Sequence, residues 1–185
     1  MKGLQSKNDI EIGRFISFIL RHHPESVGIA LDEHGWADTD ILIDRIAEKF
    51  TAFSFDDLER IVRENNKQRY SFNDDKTKIR ANQGHSVAVN MEFTPVAPPD
   101  ILYHGTGEKS VKSIFAEGIQ KMSRQYVHLS ADYETAVNVG KRHGKPVVLR
   151  IDAKKMFSDG CKFYLSENKV WLTDFVPVKY ISRGE

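Results

Sequence analysis

At 185 residues, with 40% apolar and 29% charged side chains, the chain has the make-up of a globular protein of one large domain or two small ones, each able to bury a core. Its net charge of +1 advertises neither nucleic acid nor a membrane as a partner, so any RNA site must be a local concentration of basic residues. The single cysteine, Cys161, excludes an internal disulfide and a cysteine-rich zinc site.

In chain order, Asn8 or Asp9 is placed to cap a first helix, with Ile12, Phe15, Ile16 and Ile19 at helical spacing and Pro24 ending it. Asp38 is placed to cap a second, carrying Leu42, Ile46 and Phe50. Ser54 with Asp57 resembles the capping box of a third, carrying Leu58, Ile61 and Val62. Arg69-Tyr70-Ser71-Phe72 and Lys78-Ile79-Arg80-Ala81 flank Asn73-Asp74-Asp75 and read as a β-hairpin. Three helices and a hairpin is the order of a winged-helix lobe, a fold that serves many purposes. Residues 94–99, Thr94-Pro95-Val96-Ala97-Pro98-Pro99, read as a linker between units 1–93 and 100–185. The second unit is β-rich, with strands expected over Ile101–His104, Val127–Ser130, Val147–Ile151, Val170–Thr173 and Val178–Ile181. Its helices are expected over Ser110–Glu117, stopped by Gly118, and Asp132–Val139, stopped by Gly140. No apolar run approaches the roughly 18 residues of a membrane span. Met1-Lys2-Gly3-Leu4-Gln5-Ser6 leads into no signal-peptide apolar region, so the expected location is cytoplasmic.

Four stretches stand out for chemistry: Leu20-Arg21-His22-His23-Pro24, Lys67-Gln68-Arg69-Tyr70, Leu102-Tyr103-His104-Gly105-Thr106 and Arg124-Gln125-Tyr126-Val127-His128-Leu129-Ser130. Arginine supplies a fixed fork of donors that suits phosphate oxygens. Arg21-His22-His23 also has a plain reading, because cations favour helix C-termini. Gly105-Thr106-Gly107-Glu108-Lys109-Ser110 half-matches a dinucleotide fingerprint, but its third glycine is a serine and no βαβ unit follows. What survives is either a plain strand-to-helix turn or a backbone N–H cluster suited to an anion or a carboxamide. His104 and His128 each sit on a short apolar strand, close to a hydroxyl residue. No H-E-x-x-H or Cys/His spacing is present, so no metal is expected.

Taken together, these stretches closely resemble the RNA 2′-phosphotransferase family. The resemblance is also carried by His34-Gly35-Trp36-Ala37, Ile79-Arg80-Ala81-Asn82-Gln83-Gly84-His85-Ser86 and Val170-Trp171-Leu172-Thr173, so that it covers nearly the whole chain. It implies an α+β protein: an N-terminal winged-helix lobe followed by a C-terminal, β-rich ADP-ribosyltransferase-like lobe, with the site in the cleft between them. The family's essential Arg-His-Arg-Arg set falls on Arg21, His22, Arg69 and Arg124. Its NAD-binding positions fall on Tyr103, His104, Gly105 and Thr106, with His128 and Ser130 on the second strand. Gln83 to Ser86 match a family motif whose role the sequence leaves unassigned. The glutamate that many ADP-ribosyltransferases carry on a late strand is missing from Val170-Trp171-Leu172, and Glu167 in the preceding turn is read as the nearest acid.

The implied activity removes the 2′-phosphate of RNA in two steps, with NAD consumed as co-substrate. The phosphate first attacks the nicotinamide-bearing carbon, giving an ADP-ribosylated RNA phosphate. The ADP-ribose 2″-hydroxyl then attacks phosphorus, releasing 2′-hydroxyl RNA and ADP-ribose 1″,2″-cyclic phosphate. A 2′-phosphate is already an anionic nucleophile, so a general base has little to remove and preorganised arginines do more. The expected partner is RNA with an internal or terminal 2′-phosphate, with no membrane and no metal, and no oligomer is predicted. Two rivals stay open. One is an ADP-ribosyltransferase that stops after the first step. The other is a nucleic-acid-binding module with an NAD-sensing lobe, although Asp56, Asp57, Glu59 and Glu64 beside Arg60 and Arg63 suit groove binding poorly.

Overall fold

The structure, a computed structural model, describes residues 7–184, so the Met1–Ser6 stretch read for a leader lies outside it. The chain forms two compact units of mixed α and β structure, Met1–Glu92 and Phe93–Glu185. No helix among the described residues is long and apolar enough to cross a membrane.

In the first unit α1 (Lys7–Arg21) buries Ile12, Ile16, Ile19 and Leu20, as their helical spacing requires. A short 3-10 turn, Pro24–Val27, follows it. Asn8 and Asp9 are inside α1, not at its cap. The Asp9 carboxylate is buried and takes both terminal nitrogens of Arg60, at 2.8 and 3.0 Å, so a tertiary ion pair has claimed the group expected to cap. Helices α2 (Thr39–Ala47) and α3 (Phe55–Glu64) begin as the sequence predicts. Asp38 accepts from the Ile41 N–H, and Ser54 and Asp57 form a reciprocal capping box. The hairpin is β2 (Tyr70–Phe72) and β3 (Lys78–Ala81). A third strand, β1 (Trp36–Asp38), pairs with β3 on its other side, giving the antiparallel order β1-β3-β2. At three residues β1 is too short to show alternation. It is held from outside, with Trp36 opposite Arg80 and the guanidinium 4.4 Å above the indole.

The second unit holds two three-stranded antiparallel sheets. One has the order β4 (Ile101–Gly107), β6 (Pro146–Asp152), β9 (Ile181–Arg183), and the other β5 (Val127–Leu129), β8 (Trp171–Thr173), β7 (Tyr164–Leu165). Helices α4 (Glu108–Glu117), α5 (Tyr133–Gly140) and α6 (Ala153–Ser158) complete it. Gly118 ends α4 with φ of 84°, as expected. Gly140 does not stop α5. It keeps helical geometry, and the chain tightens into a 3-10 turn, Lys141–His143, that ends only at Gly144 with φ of 111°. Val178–Tyr180 is likewise a 3-10 turn after Pro177, with the strand starting at Ile181. Residues 94–99 carry no regular structure, and the Val96 N–H donates to the Phe163 carbonyl at 2.9 Å.

Candidate functional site

In the first unit Arg21, His22 and Arg69 line a single cavity of about 530 Å³. Arg21 closes the last turn of α1, and Arg69 leads into β2. Between them the cavity wall is the α1 face bearing Gly13, Arg14, Ser17 and Phe18, met by Asn65, Asn66 and Lys67 from the end of α3. The Tyr70 hydroxyl bridges Ser17, at 2.5 Å, and the Gly13 carbonyl. Burial pushes its phenol up, while the positive charges of Arg21 and Arg69 pull it down, so both guanidiniums lie within electrostatic reach of this one oxygen. Asn65, a buried cap of α3, receives Arg69 at 3.3 Å and so fixes where its fork points. Among the described residues the one acid lining this cavity, Asp9, is held by Arg60.

Gln83 to Ser86, unassigned by the sequence, wrap the end of α1. The Ser86 and Val87 N–H groups donate to the Arg21 carbonyl at 2.9 and 3.4 Å, which satisfies an acceptor that the helix leaves open. The Ser86 hydroxyl meets His22 Nδ1 at 3.0 Å, which fixes the orientation of the ring. Gly84, at φ of 89°, stands against the Arg21 guanidinium, where even a Cβ would be 3.6 Å from it. His85 is buried behind them, and desolvation, reinforced by the charges of Arg21, His22 and Arg80, pushes its pKa down to about 4. His23 points elsewhere: its Nδ1 meets Glu25 at 3.0 Å and its ring packs on Phe18. Of the two adjacent histidines, only His22 lines the cavity.

In the second unit the two histidine strands are neighbours. Tyr103 and Ser130 exchange both backbone hydrogen bonds, at 2.9 and 2.8 Å, which ties the end of β5 to β4. Across this join His104 Nδ1 donates to the His128 carbonyl at 3.1 Å. A carbonyl only accepts, so Nδ1 carries the proton. Burial above all, with the nearby charges of His143 and Arg124, depresses the His104 pKa and keeps the ring neutral. Nε2 is therefore a bare acceptor. Strand alternation puts Thr106 on the same face as His104, and Tyr103 and Gly105 on the other. Arg124 is near enough for its charge to reach His104. Its own pKa is lowered by burial and by Arg142, yet it remains a cation at neutral pH.

The glycines here serve packing. A Cβ on Gly105 would stand 1.8 Å from the Ala136 carbonyl of α5, and one on Gly107 would stand 2.3 Å from the His143 carbonyl. Tyr103 likewise packs edge-on against Tyr133 of α5. In the first turn of α4 the Glu108 N–H is already taken by the Lys145 carbonyl, and its carboxylate pairs with Lys145. Asp174, not Glu167, is the acid next to the late strand. It directly follows β8, and its charge holds up the Tyr126 and Tyr164 phenols, both raised first by burial. Arg14, Asp174, Arg142 and His143 were missed by sequence reasoning, since none stands in a recognisable motif. Among the described residues no group of three or more His, Cys, Asp or Glu is placed to hold a metal ion.

Comparison with known proteins gives a consistent result. The family model described as RNA 2′-phosphotransferase, Tpt1 / KptA family, matches residues 7–175. A probable RNA 2′-phosphotransferase of Fusobacterium nucleatum is 62% identical over 175 residues, 94% of this chain and 98% of that protein. Similar proteins so described occur in Flavobacterium johnsoniae, 52% identical over 170 residues (92% and 93% of the two chains), and in Hahella chejuensis, 49% identical over 181 residues (98% and 95%).

Proposed function

Because this chain belongs to the Tpt1/KptA family of RNA 2′-phosphotransferases, enzymes that remove the 2′-phosphate of RNA, we propose that it does so by passing the phosphate to NAD. The observation that carries the reading is the convergence of Arg21, His22 and Arg69 on one cavity whose one acid among the described residues, Asp9, is already paired. We assign that cavity to the 2′-phosphate, and the β4–β5 join to the dinucleotide. The two units then act as a winged-helix lobe and an ADP-ribosyltransferase-like lobe, an assignment supported by the three helices with a three-stranded sheet in one and the small antiparallel sheets of the other.

The residues of the second unit fit such a ligand. His104 offers one neutral acceptor, suited to a ribose hydroxyl or a carboxamide N–H, and the Thr106 hydroxyl on the same face has no hydrogen-bond partner among the described residues. NAD would supply an electrophilic sugar carbon with nicotinamide as leaving group. Arg21 and Arg69 hold the incoming phosphate as a charged nucleophile, so no base is required and the missing late-strand glutamate costs nothing. Arg124 adds positive charge when the phosphorus is itself attacked. His22, braced through Nδ1 by Ser86, presents its other nitrogen to the phosphate and protonates the departing RNA oxygen.

The test is direct. Incubated with NAD and a 2′-phosphorylated oligoribonucleotide, the protein should release nicotinamide and yield 2′-hydroxyl RNA and ADP-ribose 1″,2″-cyclic phosphate. An otherwise identical oligoribonucleotide without the 2′-phosphate should leave NAD intact. Nicotinamide release from that control would overturn the reading in favour of a glycohydrolase, and accumulation of only ADP-ribosylated RNA would favour an enzyme that stops after the first step.

A further inference from the structure

His34-Gly35-Trp36 does not line the cavity of Arg21, His22 and Arg69, and the function proposed above gives it no task. It belongs to a tight turn that is braced from within. Asp32 Oδ1 accepts the His34 and Trp36 N–H groups, both at 3.0 Å. The Gly35 N–H donates to the Asp32 carbonyl at 3.0 Å, and the Asp32 N–H closes the turn on the Trp36 carbonyl at 2.9 Å. Lys78 Nζ holds the other Asp32 carboxylate oxygen at 3.0 Å. Gly35 supplies the left-handed φ of 79° at the bend. A turn tied this way is a fixed anchor for whatever it grips.

What it grips is the stretch from Arg80 to Asn90, at three points. The Trp36 indole carries the Arg80 guanidinium 4.4 Å from its ring centre. Gly35 lies against the middle, where a Cβ would stand 3.5 Å from both His85 Nε2 and Val89. His34 holds the far end. Its half-buried ring donates from Nδ1 to the Asn90 carbonyl at 3.0 Å, and the Asn90 N–H donates back to the Glu33 carbonyl at 2.7 Å. Residues 82–92 have no regular secondary structure, so no ladder of main-chain bonds fixes this strap. Its path depends on point contacts of this kind.

Ser86 stands on the strap between the Gly35 contact and the His34 contact. Its N–H reaches the Arg21 carbonyl at 2.9 Å, and its hydroxyl meets His22 Nδ1 at 3.0 Å. Hydrogen bonds weaken steeply with small changes of distance and angle, so slack in the strap becomes misdirection of the His22 ring. We propose that His34 is a positioning residue for the reaction: by holding Asn90 it keeps Ser86 on His22, and so aims the imidazole for proton transfer to the departing RNA oxygen. The inference rests on the role that the proposed function gives to His22.

Single-turnover reactions with NAD and a 2′-phosphorylated oligoribonucleotide report both steps in one sample, as nicotinamide release and as formation of 2′-hydroxyl RNA. His34→Ala should slow the second step about tenfold, the worth of one hydrogen bond, while nicotinamide release stays near wild type and ADP-ribosylated RNA builds up. An unfolded fraction lowers both rates by the same factor, so their ratio reports positioning and not stability. His34→Asn keeps an N–H donor near the place of Nδ1 and should restore most of the ratio. Ser86→Ala should show the same pattern, and the double variant should be no slower than Ser86→Ala alone, because the two residues act in series. An unchanged ratio in His34→Ala, an asparagine variant as impaired as the alanine one, or a double variant in which the two effects multiply would overturn the positioning role and leave the proposed function standing. If the wild-type protein releases no nicotinamide with the 2′-phosphorylated substrate, the proposed function falls and this inference with it.

Discussion

His104 donates its Nδ1 proton to the main-chain carbonyl of His128 across 3.1 Å, and this one bond decides which edge of the imidazole is chemically useful. Burial keeps the ring uncharged, so Nε2 can act only as an acceptor. Nitrogen NMR at neutral pH should show His104 as the Nδ1–H tautomer, with its titration shifted below the ordinary histidine range by burial. His104→Ala should raise the KM for NAD by about tenfold, the worth of one hydrogen bond at about 1.4 kcal/mol per decade, while leaving RNA binding near wild type. An imidazolium signal at neutral pH would contradict this assignment.

Arg124→Ala should slow the second chemical step more than the first. Arg21 and Arg69 still place the phosphate, but the attack on phosphorus gathers further negative charge. Removing one preorganised cation from that state costs roughly 3–4 kcal/mol, or about 10²–10³ in rate. ADP-ribosylated RNA should then build up as a slower gel species. If nicotinamide release falls as far as final product formation and no intermediate appears, the arginines do not divide the work this way.

Gly105→Ala should damage folding before it damages ligand binding. The new methyl would stand 1.8 Å from the Ala136 carbonyl, a main-chain atom with no rotamer to swing away, so β4 and α5 must separate. Overpacking of this kind costs about 1–3 kcal/mol and occasionally more, and the thermal unfolding midpoint should fall by several degrees. A variant with wild-type stability but a raised KM for NAD would instead show that the glycine makes room for the dinucleotide.

Acid should destabilise the first unit through His85. Its pKa is about 4 in the folded chain and about 6.5 when unfolded, so between those values the unfolded state binds the extra proton. Stability from the neutral ring is complete above about pH 6.5 and is lost as pH falls towards about 4, amounting to roughly 3 kcal/mol at the lower limit. His85→Gln should flatten the dependence of the unfolding midpoint on pH over this window. Proton NMR of the wild-type ring supplies a check that does not depend on the variant folding well, and titration near the ordinary histidine value would refute the assignment.

Much of this molecule was legible locally. Asp38 caps α2 and Ser54 with Asp57 caps α3 because a cap needs only a short polar side chain within reach of an N–H two or three residues on. Ile12, Ile16, Ile19 and Leu20 had to face inward once α1 formed, since burying them is what stabilises it. Arg21, His22 and Arg69 stood out because guanidinium and imidazole chemistry is written in the residue itself.

What only the tertiary structure decided involves partners distant in sequence. Asp9 was expected to cap and instead binds Arg60, 51 residues away, which leaves the cavity beside it positive. Arg14 looked like any exposed helix residue until the turn at Lys67 came to face it. Gly105 looked like part of a nucleotide loop until α5 closed over the strand, and the Gln83–Ser86 segment acquired its role only by folding back onto Arg21. Caps and amphipathic faces depend on atoms a few residues apart, so the sequence states them directly. Ion pairs, close backbone approaches and the tautomer of His104 depend on which strands and helices meet, and that is settled only when the whole core packs at once.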